Sequence, residues 1–264
     1  MRIVSMYRSI AGSSSALLLA AGLLAGQVQQ QGAATAGGRL SLADPRASAI
    51  TEYLAALDAY QNWSWTEGFP HLQRALAMDS SFGLARALYA RYRGGPTASA
   101  EAARAARDAV HATAPEAVIA LANYTTGPAS EGLWDLAVKL LPNDPRVALD
   151  RALALTGRAR IDALRQVASK FPDAPAPRIW LAFHLTNLLF PPRPKADDDE
   201  ALAAAQEAVR LAPNSTGAHA ALGWVYERIG NDAEALVHLG HATSMPMPFE
   251  GAFQTRAELL ERQG

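Results

Sequence analysis

Three histidines cluster near the C-terminus: His219, His238 and His241. On one helix, His238 and His241 would share a face, because residues three apart are neighbours. His219, on a helix packed against it, would complete the three nitrogen ligands that a zinc site takes from its protein. A second cluster, Asp197-Asp198-Asp199-Glu200, offers hard oxygen donors. Calcium takes about 6–8 oxygens from a curved loop. These four residues instead open a run with helical spacing, where carboxylates cap free N–H groups and complement the dipole. His238 and His241 flank Leu239 and Ala242 as solvent-facing positions do. We therefore expect no metal and no cofactor. The sequence holds no phosphate loop, no glycine-rich dinucleotide turn, no serine nucleophile elbow and no His-Glu-x-x-His. With no cysteine at all, disulfides, thiolate metal sites, a cysteine nucleophile and a lipidated N-terminal cysteine are excluded.

The elements that carry these histidines lie between Ala218 and Ala242, AHAALGWVYERIGNDAEALVHLGHA. The stretch reads as two short amphipathic helices joined by a tight turn at Gly230-Asn231-Asp232. Small residues stand where the helices approach, and large ones where gaps must be filled. The spacing is His219-x2-Leu222-Gly223-x2-Tyr226, then Ala235-x3-Leu239, then Ala242, with Pro246 and Pro248 beyond.

This pattern resembles the tetratricopeptide repeat (TPR), which runs W-x2-L-G-x2-Y, A-x3-F, P. His219 stands for the usual Trp, so packing accounts for it. Leu239 stands for Phe, and Met247 stands at the Pro position between two prolines. The resemblance implies an all-α fold, a right-handed α-solenoid of about six such helix pairs over residues 48–248. A unit of this kind cannot bury its apolar face alone, so neighbours are required.

Weaker copies precede the clear one. Ala201–Asn214 reads as a second helix closed by Pro213, and Arg178–Leu189 as its first helix, with Trp180 placed like the leading Trp. Between them, Phe190–Glu200 carries an insertion of roughly five residues relative to the ordinary repeat. Further back, Ile50–Tyr60 pairs with Gly68–Asp79, and Phe82–Arg93 with Ala98–Thr113. Val118–Tyr124 then pairs with Glu131–Leu141, and Val147–Leu155 with Ile161–Lys170. The closing positions Ser80, Pro115, Pro142, Pro172, Pro213 and Met247 average close to the ~34-residue length of the repeat. Residues 249–264 read as a capping helix. Its apolar side, Phe249, Ala252, Phe253, Leu259 and Leu260, would shield the last pair from water.

Composition agrees with an all-helical chain. Alanine, the best helix former, is abundant, and no run alternates at period two. The formal net charge is −1, which points away from nucleic acid. The preference for Arg over Lys, with much Ala and Pro, is that of a GC-rich bacterial genome. Asn62-Trp63-Ser64, Asn123-Tyr124-Thr125 and Asn214-Ser215-Thr216 match a glycosylation sequon, which has meaning only in a eukaryotic secreted protein.

Residues 1–36 have the layout of an export signal. Arg2 and Arg8 precede an apolar core, Ala16–Ala25, and Ala34-Thr35-Ala36 offers a small-x-small cleavage site. The core is about 10 residues, short of the ~20 of a spanning helix. Counted from Ile10 to Val28 it is just long enough to cross. The segment is thus either a cleaved signal peptide or a retained inner-membrane anchor with the remainder facing the periplasm. Residues 37–47 form a flexible tether. We expect a periplasmic or exported protein.

In the TPR family the first helices line a concave groove. Carried over by position, the resemblance nominates Phe82, Tyr89, Tyr92 and Arg93 in the second pair. In the fifth it nominates Arg178, Leu181, Leu185 and Leu188, and in the sixth Trp224, Glu227 and Arg228. Aromatics and Arg are enriched in binding hot spots, and the mixture of apolar and both charges suits a protein or peptide partner. The expected function is a non-catalytic exported scaffold, including as an accessory subunit of a membrane complex. The alternative is a helical-repeat enzyme, or a glycan- or lipid-handling domain. Asp58 and Glu227 are its only groove-facing carboxylates, and they stand in distant pairs.

Overall fold

The computed structural model describes residues 47–93, 104–105, 114–125, 127–186, 195–244 and 250–263. The signal or anchor segment, the tether up to residue 46, most of the helix expected at 98–113, Leu188 and Met247 lie outside these residues. Among the described residues there are twelve α-helices and no strand. They are α1 (Ala47–Gln61), α2 (Trp65–Met78), α3 (Gly83–Arg93), α4 (Ala114–Tyr124), α5 (Pro128–Leu140) and α6 (Pro145–Ala154). Then come α7 (Gly157–Lys170), α8 (Ala176–Thr186), α9 (Lys195–Leu211), α10 (Thr216–Arg228), α11 (Asp232–Ser244) and α12 (Glu250–Gln263). None of them is long and apolar enough to cross a membrane.

Helix boundaries follow local chemistry. Asp144 precedes α6, and its carboxylate accepts from the Arg146 and Val147 amides at 2.9 and 3.4 Å, while Pro145 fills the first helical position. This is a side-chain cap followed by a residue that has no N–H to lose. Ser215 caps α10 by accepting from the Ala218 amide at 3.2 Å. Gly230, at φ 80°, turns the chain between α10 and α11. Most helices begin a few residues before the expected positions, α5 at Pro128 rather than Glu131 and α7 at Gly157 rather than Ile161. Two further early starts show why. Helix α4 begins at Ala114, because Pro115 is compatible with a first turn. Helix α2 begins at Trp65, where the Ser64 carbonyl accepts from the Glu67 and Gly68 amides at 3.0 and 3.2 Å.

The chain folds as two compact units, and it passes between them within α1, α2 and α6. The first contains residues up to Leu54 together with His71–Val147. In it α4 packs along α5 and against α3. Phe82 is buried with its ring edge-on to Tyr53, 5.4 Å between centroids. Leu72, Leu84, Val118 and Leu141 are buried as well. Glu52 of α1 accepts from His71 Nδ1 at 2.6 Å and from Arg74 Nε at 3.0 Å, which ties α1 to α2.

The second unit contains Ala55–Pro70 and Ala148 onward. Here the repeat logic is plain. Helix α8 packs on its own partner α9, on the preceding α7 and on the next first helix, α10. Helix α10 packs most extensively on α11, and α11 carries α12. Alanines 182, 201, 205, 208, 220, 235 and 242 are buried at these crossings. Helix α12 turns Ala252 and Leu259 fully inward, while Phe253 and Leu260 remain about half exposed. Its apolar side is therefore narrower than its sequence suggests.

Candidate functional site

The expected groove of the second unit has α8 and α10 as its walls, and this face is filled by the chain's own α1–α2 turn. Asn62, Trp63 and Ser64 form the tip. Trp63 is 2% exposed and adopts φ 61°, a left-handed conformation that bulky residues avoid. Its ring stands edge-on to Trp180 at 5.3 Å and to Phe183 at 5.1 Å, and tilted against Trp224 at 5.4 Å. Edge-to-face pairs of this kind set the positive rim of one ring against the negative face of another. The Trp180 indole Nε1 donates to the Gln61 carbonyl at 2.9 Å.

Backbone approach is as close as the side-chain contact. A Cβ on Gly217, in the first turn of α10, would press into the Asn62 carbonyl and lie 3.2 Å from the Trp63 Cβ. Glycine is required there by contact, not by its dihedral angles. Asn62 donates its side-chain N–H to the Asp58 carbonyl at 2.8 Å, and its Oδ1 is buried with no hydrogen-bond partner. In the first of the three sequons Trp63 is thus buried, while Asn62 and Ser64 are half-buried.

His184 supports the site from behind. Its ring stacks on Trp180 at 5.8 Å and meets Phe183 at 5.2 Å. Burial pushes its pKa down to about 3, and the Arg160 guanidinium adds to the shift. Arg160 reaches Nε2 at 3.4 Å. A donor at that nitrogen calls for a lone pair, so the ring is neutral.

Several nominated residues serve the fold rather than an open groove. Phe82, Leu181 and Leu185 are buried and cannot meet a partner, because they fill the spaces between helices. Arg178 is half-buried and donates to the Ala174 and Ala168 carbonyls at 3.0 and 3.4 Å, closing the end of α7 against α8. Trp224 meets the tip on one side and donates Nε1 to Thr255 of α12 at 2.9 Å. Glu227 accepts from Arg262 of α12 at 3.2 Å. Arg228 is exposed. In the first unit Tyr89 and Tyr92 are half-buried, and the exposed Arg93 lies over the Tyr89 ring at 5.9 Å.

The other two clusters also have structural roles. His219 Nε2 faces the Pro213 carbonyl at 3.0 Å, so it carries the proton. Its Nδ1 then accepts from His238 Nδ1, 3.0 Å away. His238 is half-buried between His219 and a stacked Tyr226 ring, where a solvent-facing position was expected; only His241 is exposed. Burial lowers the pKa of both His219 and His238. Among the described residues no group of three or more metal-ligating side chains is placed to hold an ion. The acidic run does open α9, as its charge pattern predicts, but two of its carboxylates bind α7. Arg158 holds the buried Asp197 through two nitrogens, at 2.6 and 3.1 Å. Arg165 forks onto Glu200 at 2.6 and 2.7 Å.

No protein-family model matches the sequence, and no curated protein matches it. Solved structures do. Yeast Tom70 superposes with a TM-score of 0.51 at 15% identity, over 94% of this chain and 59% of that one. The fold is TPR-like. Cut9, in its hetero-tetramer with Hcn1, gives a TM-score of 0.48 at 15% identity over 94% of this chain and 56% of its own. A thermophilic TPR protein of Thermus thermophilus gives 0.37 at 15% identity, over 81% and 99%. The chain spans less than two thirds of the Tom70 and Cut9 chains, and at such identities the likeness is one of fold alone.

Residues that sequence reasoning missed dominate the site. Trp63, Phe183 and Gly217 were not singled out, and Trp180 was noted only for its repeat position. A large apolar residue in a turn between two polar neighbours, Asn62-Trp63-Ser64, was the available signal.

Proposed function

We propose that the protein is a non-catalytic scaffold that binds a protein or peptide partner through the inner faces of its first helices. The observation that carries this reading is the α8–α10 face itself. It grips a polypeptide turn by one aromatic anchor, one main-chain carbonyl and one glycine-permitted backbone approach. A preformed surface of that kind orders a partner segment at modest entropic cost. Tyr89, Tyr92, Arg93 and Arg228 supply half-buried and exposed side chains of the types that dominate interfaces.

The proposed setting is the periplasm or the outer face of the inner membrane, with residues 1–36 as a cleaved signal or, through residues 10–28, a retained anchor, and a membrane complex as one class of partner. This part of the reading rests on the sequence of residues 1–36. Purification from the native host in mild detergent, followed by mass spectrometry, tests both parts. We expect a stoichiometric protein partner that is lost when Tyr89, Tyr92 and Arg93 are replaced by Ala. We also expect an N-terminal mass that reports cleavage near Ala36 or an intact anchor. Purification from native membranes with no stoichiometric partner would overturn the scaffold.

A further inference from the structure

We propose that the α1–α2 tip is an internal ligand that plugs the α8–α10 face. Its external competitor is then a partner peptide presenting a tryptophan on a tight turn. This rests on the scaffold reading and says what one of its surfaces recognises.

The tip is bound in the manner of a ligand. Its contacts are one buried indole among Trp180, Phe183 and Trp224, one carbonyl that accepts from Trp180 Nε1, and a backbone passing over Gly217. Main-chain contacts give affinity without reading sequence, and the aromatic cage selects the side chain. These are the two halves of peptide recognition.

The tip is also built to survive outside the site. Its turn is closed by its own hydrogen bonds: Asn62 N–H to Asp58 O at 3.0 Å, Trp63 N–H to Tyr60 O at 3.2 Å, and Ser64 N–H to Ala59 O at 2.8 Å. Tyr60 and Trp65 stack across its base at 6.1 Å. Nothing in that set comes from α8 or α10, so departure leaves the turn intact.

Finally, the tip is an imperfect occupant. Asn62 Oδ1 is buried without a hydrogen bond. That cost works against the bound state, because the oxygen regains water when the tip leaves. The internal ligand compensates by proximity, since tethering supplies an effective concentration on the order of millimolar. A partner turn without this defect can displace it, and the site is kept closed until such a partner arrives.

The test uses the full chain and a fluorescent peptide with the sequence Asp58–Thr66, cyclised to hold the turn. Wild type should bind it weakly. Trp63→Ala, which empties the cage, should bind it at least tenfold more tightly, and should ignore a peptide whose own Trp is replaced by Ala. Adding Gly217→Ala to Trp63→Ala should abolish binding, because the new methyl blocks the path of any turn in this pose. Equal binding by wild type and Trp63→Ala, or binding that survives Gly217→Ala, would overturn the proposal. If Trp63→Ala loses its helical circular dichroism, Trp63→Leu replaces it; unfolding of both would make the tip a keystone and also overturn the plug. A concentration-dependent wild-type dimer that Trp63→Ala abolishes would assign the site to a second copy of this chain, against the proposal. Failure here, with a native partner still captured through Tyr89 and Arg93, leaves the scaffold reading standing.

Discussion

Gly223 of α10 faces Leu239 of α11 so closely that a Cβ on the glycine would lie 2.7 Å from Leu239 Cγ and 3.2 Å from its backbone nitrogen. The contact sets the distance between the two helices, and Leu239 is fully buried in it. Gly223→Ala should therefore destabilise the second unit by about 1–3 kcal/mol, the usual cost of overpacking. At that chain size each kcal/mol lowers Tm by roughly 2–4 °C. Gly240 lies one residue beyond Leu239, yet a Cβ there meets nothing within 4 Å. Gly240→Ala should be neutral or stabilising by up to ~1 kcal/mol, because alanine is the better helix former. Thermal melts of the two variants, followed by circular dichroism, give opposite signs if the contact is the cause.

That pair was legible in the sequence. Gly223 and Leu239 occupy the small and large positions of the repeat, and both are local to one helix pair. The positions of the helices were legible for the same reason, since capping, proline and apolar spacing act within a few residues. The filled face was not. Trp180 Nε1 and the Gln61 carbonyl that meets it are 119 residues apart. The tryptophan between Asn62 and Ser64 signals a turn with an apolar ring to bury, but no local pattern says which distant helices receive it. Phe82, Leu181 and Leu185 were assigned to the groove by register, but helical register does not say which side of a degenerate repeat a neighbour covers. His238 reads as solvent-facing until Tyr226 and His219 are seen on either side of it.

The charges of α9 give a second prediction. Asp197 is buried, and its partner Arg158 is half-exposed, so the pair joins a desolvated anion to a hydrated cation. Asp162, by contrast, is well exposed beside Arg165. Exposed pairs contribute little, whereas removing a partner from a buried charge is costly. Arg158→Ala should consequently lower Tm by several degrees and speed amide exchange in the first turn of α9. Asp162→Ala should change Tm by about one degree or less. Equal effects of the two would mean that Asp197 is solvated in solution.

His184 makes the fold acid-sensitive. Its folded pKa of about 3 lies below the ordinary 6.5. The unfolded chain therefore binds the extra proton throughout the interval between these values. Stability from the neutral ring is complete above pH 6.5 and falls as the pH drops toward 3, by at most roughly 1.4 kcal/mol per pH unit. His219 and His238 are shifted in the same direction. His184→Phe preserves the ring contacts and cannot titrate. Urea melts at pH 7.5 and 5.0, a window largely above carboxylate titration, should show a smaller loss of stability for His184→Phe than for wild type. A loss of the same size in both would remove His184 as the cause.

Gly217 provides a structural readout of the tip that does not depend on any partner. Alanine is ordinarily favoured over glycine in a helix, so Gly217→Ala would stabilise α10 if nothing lay against it. The Asn62 carbonyl does lie against it, and a backbone atom cannot move aside as the end of a flexible side chain can. The substitution should drive the tip off α8 and α10 and expose Trp63, Trp180 and Trp224 together. We expect a red shift in tryptophan emission and stronger acrylamide quenching, with the helical signal retained. Trp65, already 42% exposed, contributes a constant background. Unchanged emission in Gly217→Ala would mean that the Asn62 carbonyl does not rest on α10 in solution, and the cage would then have another occupant or none.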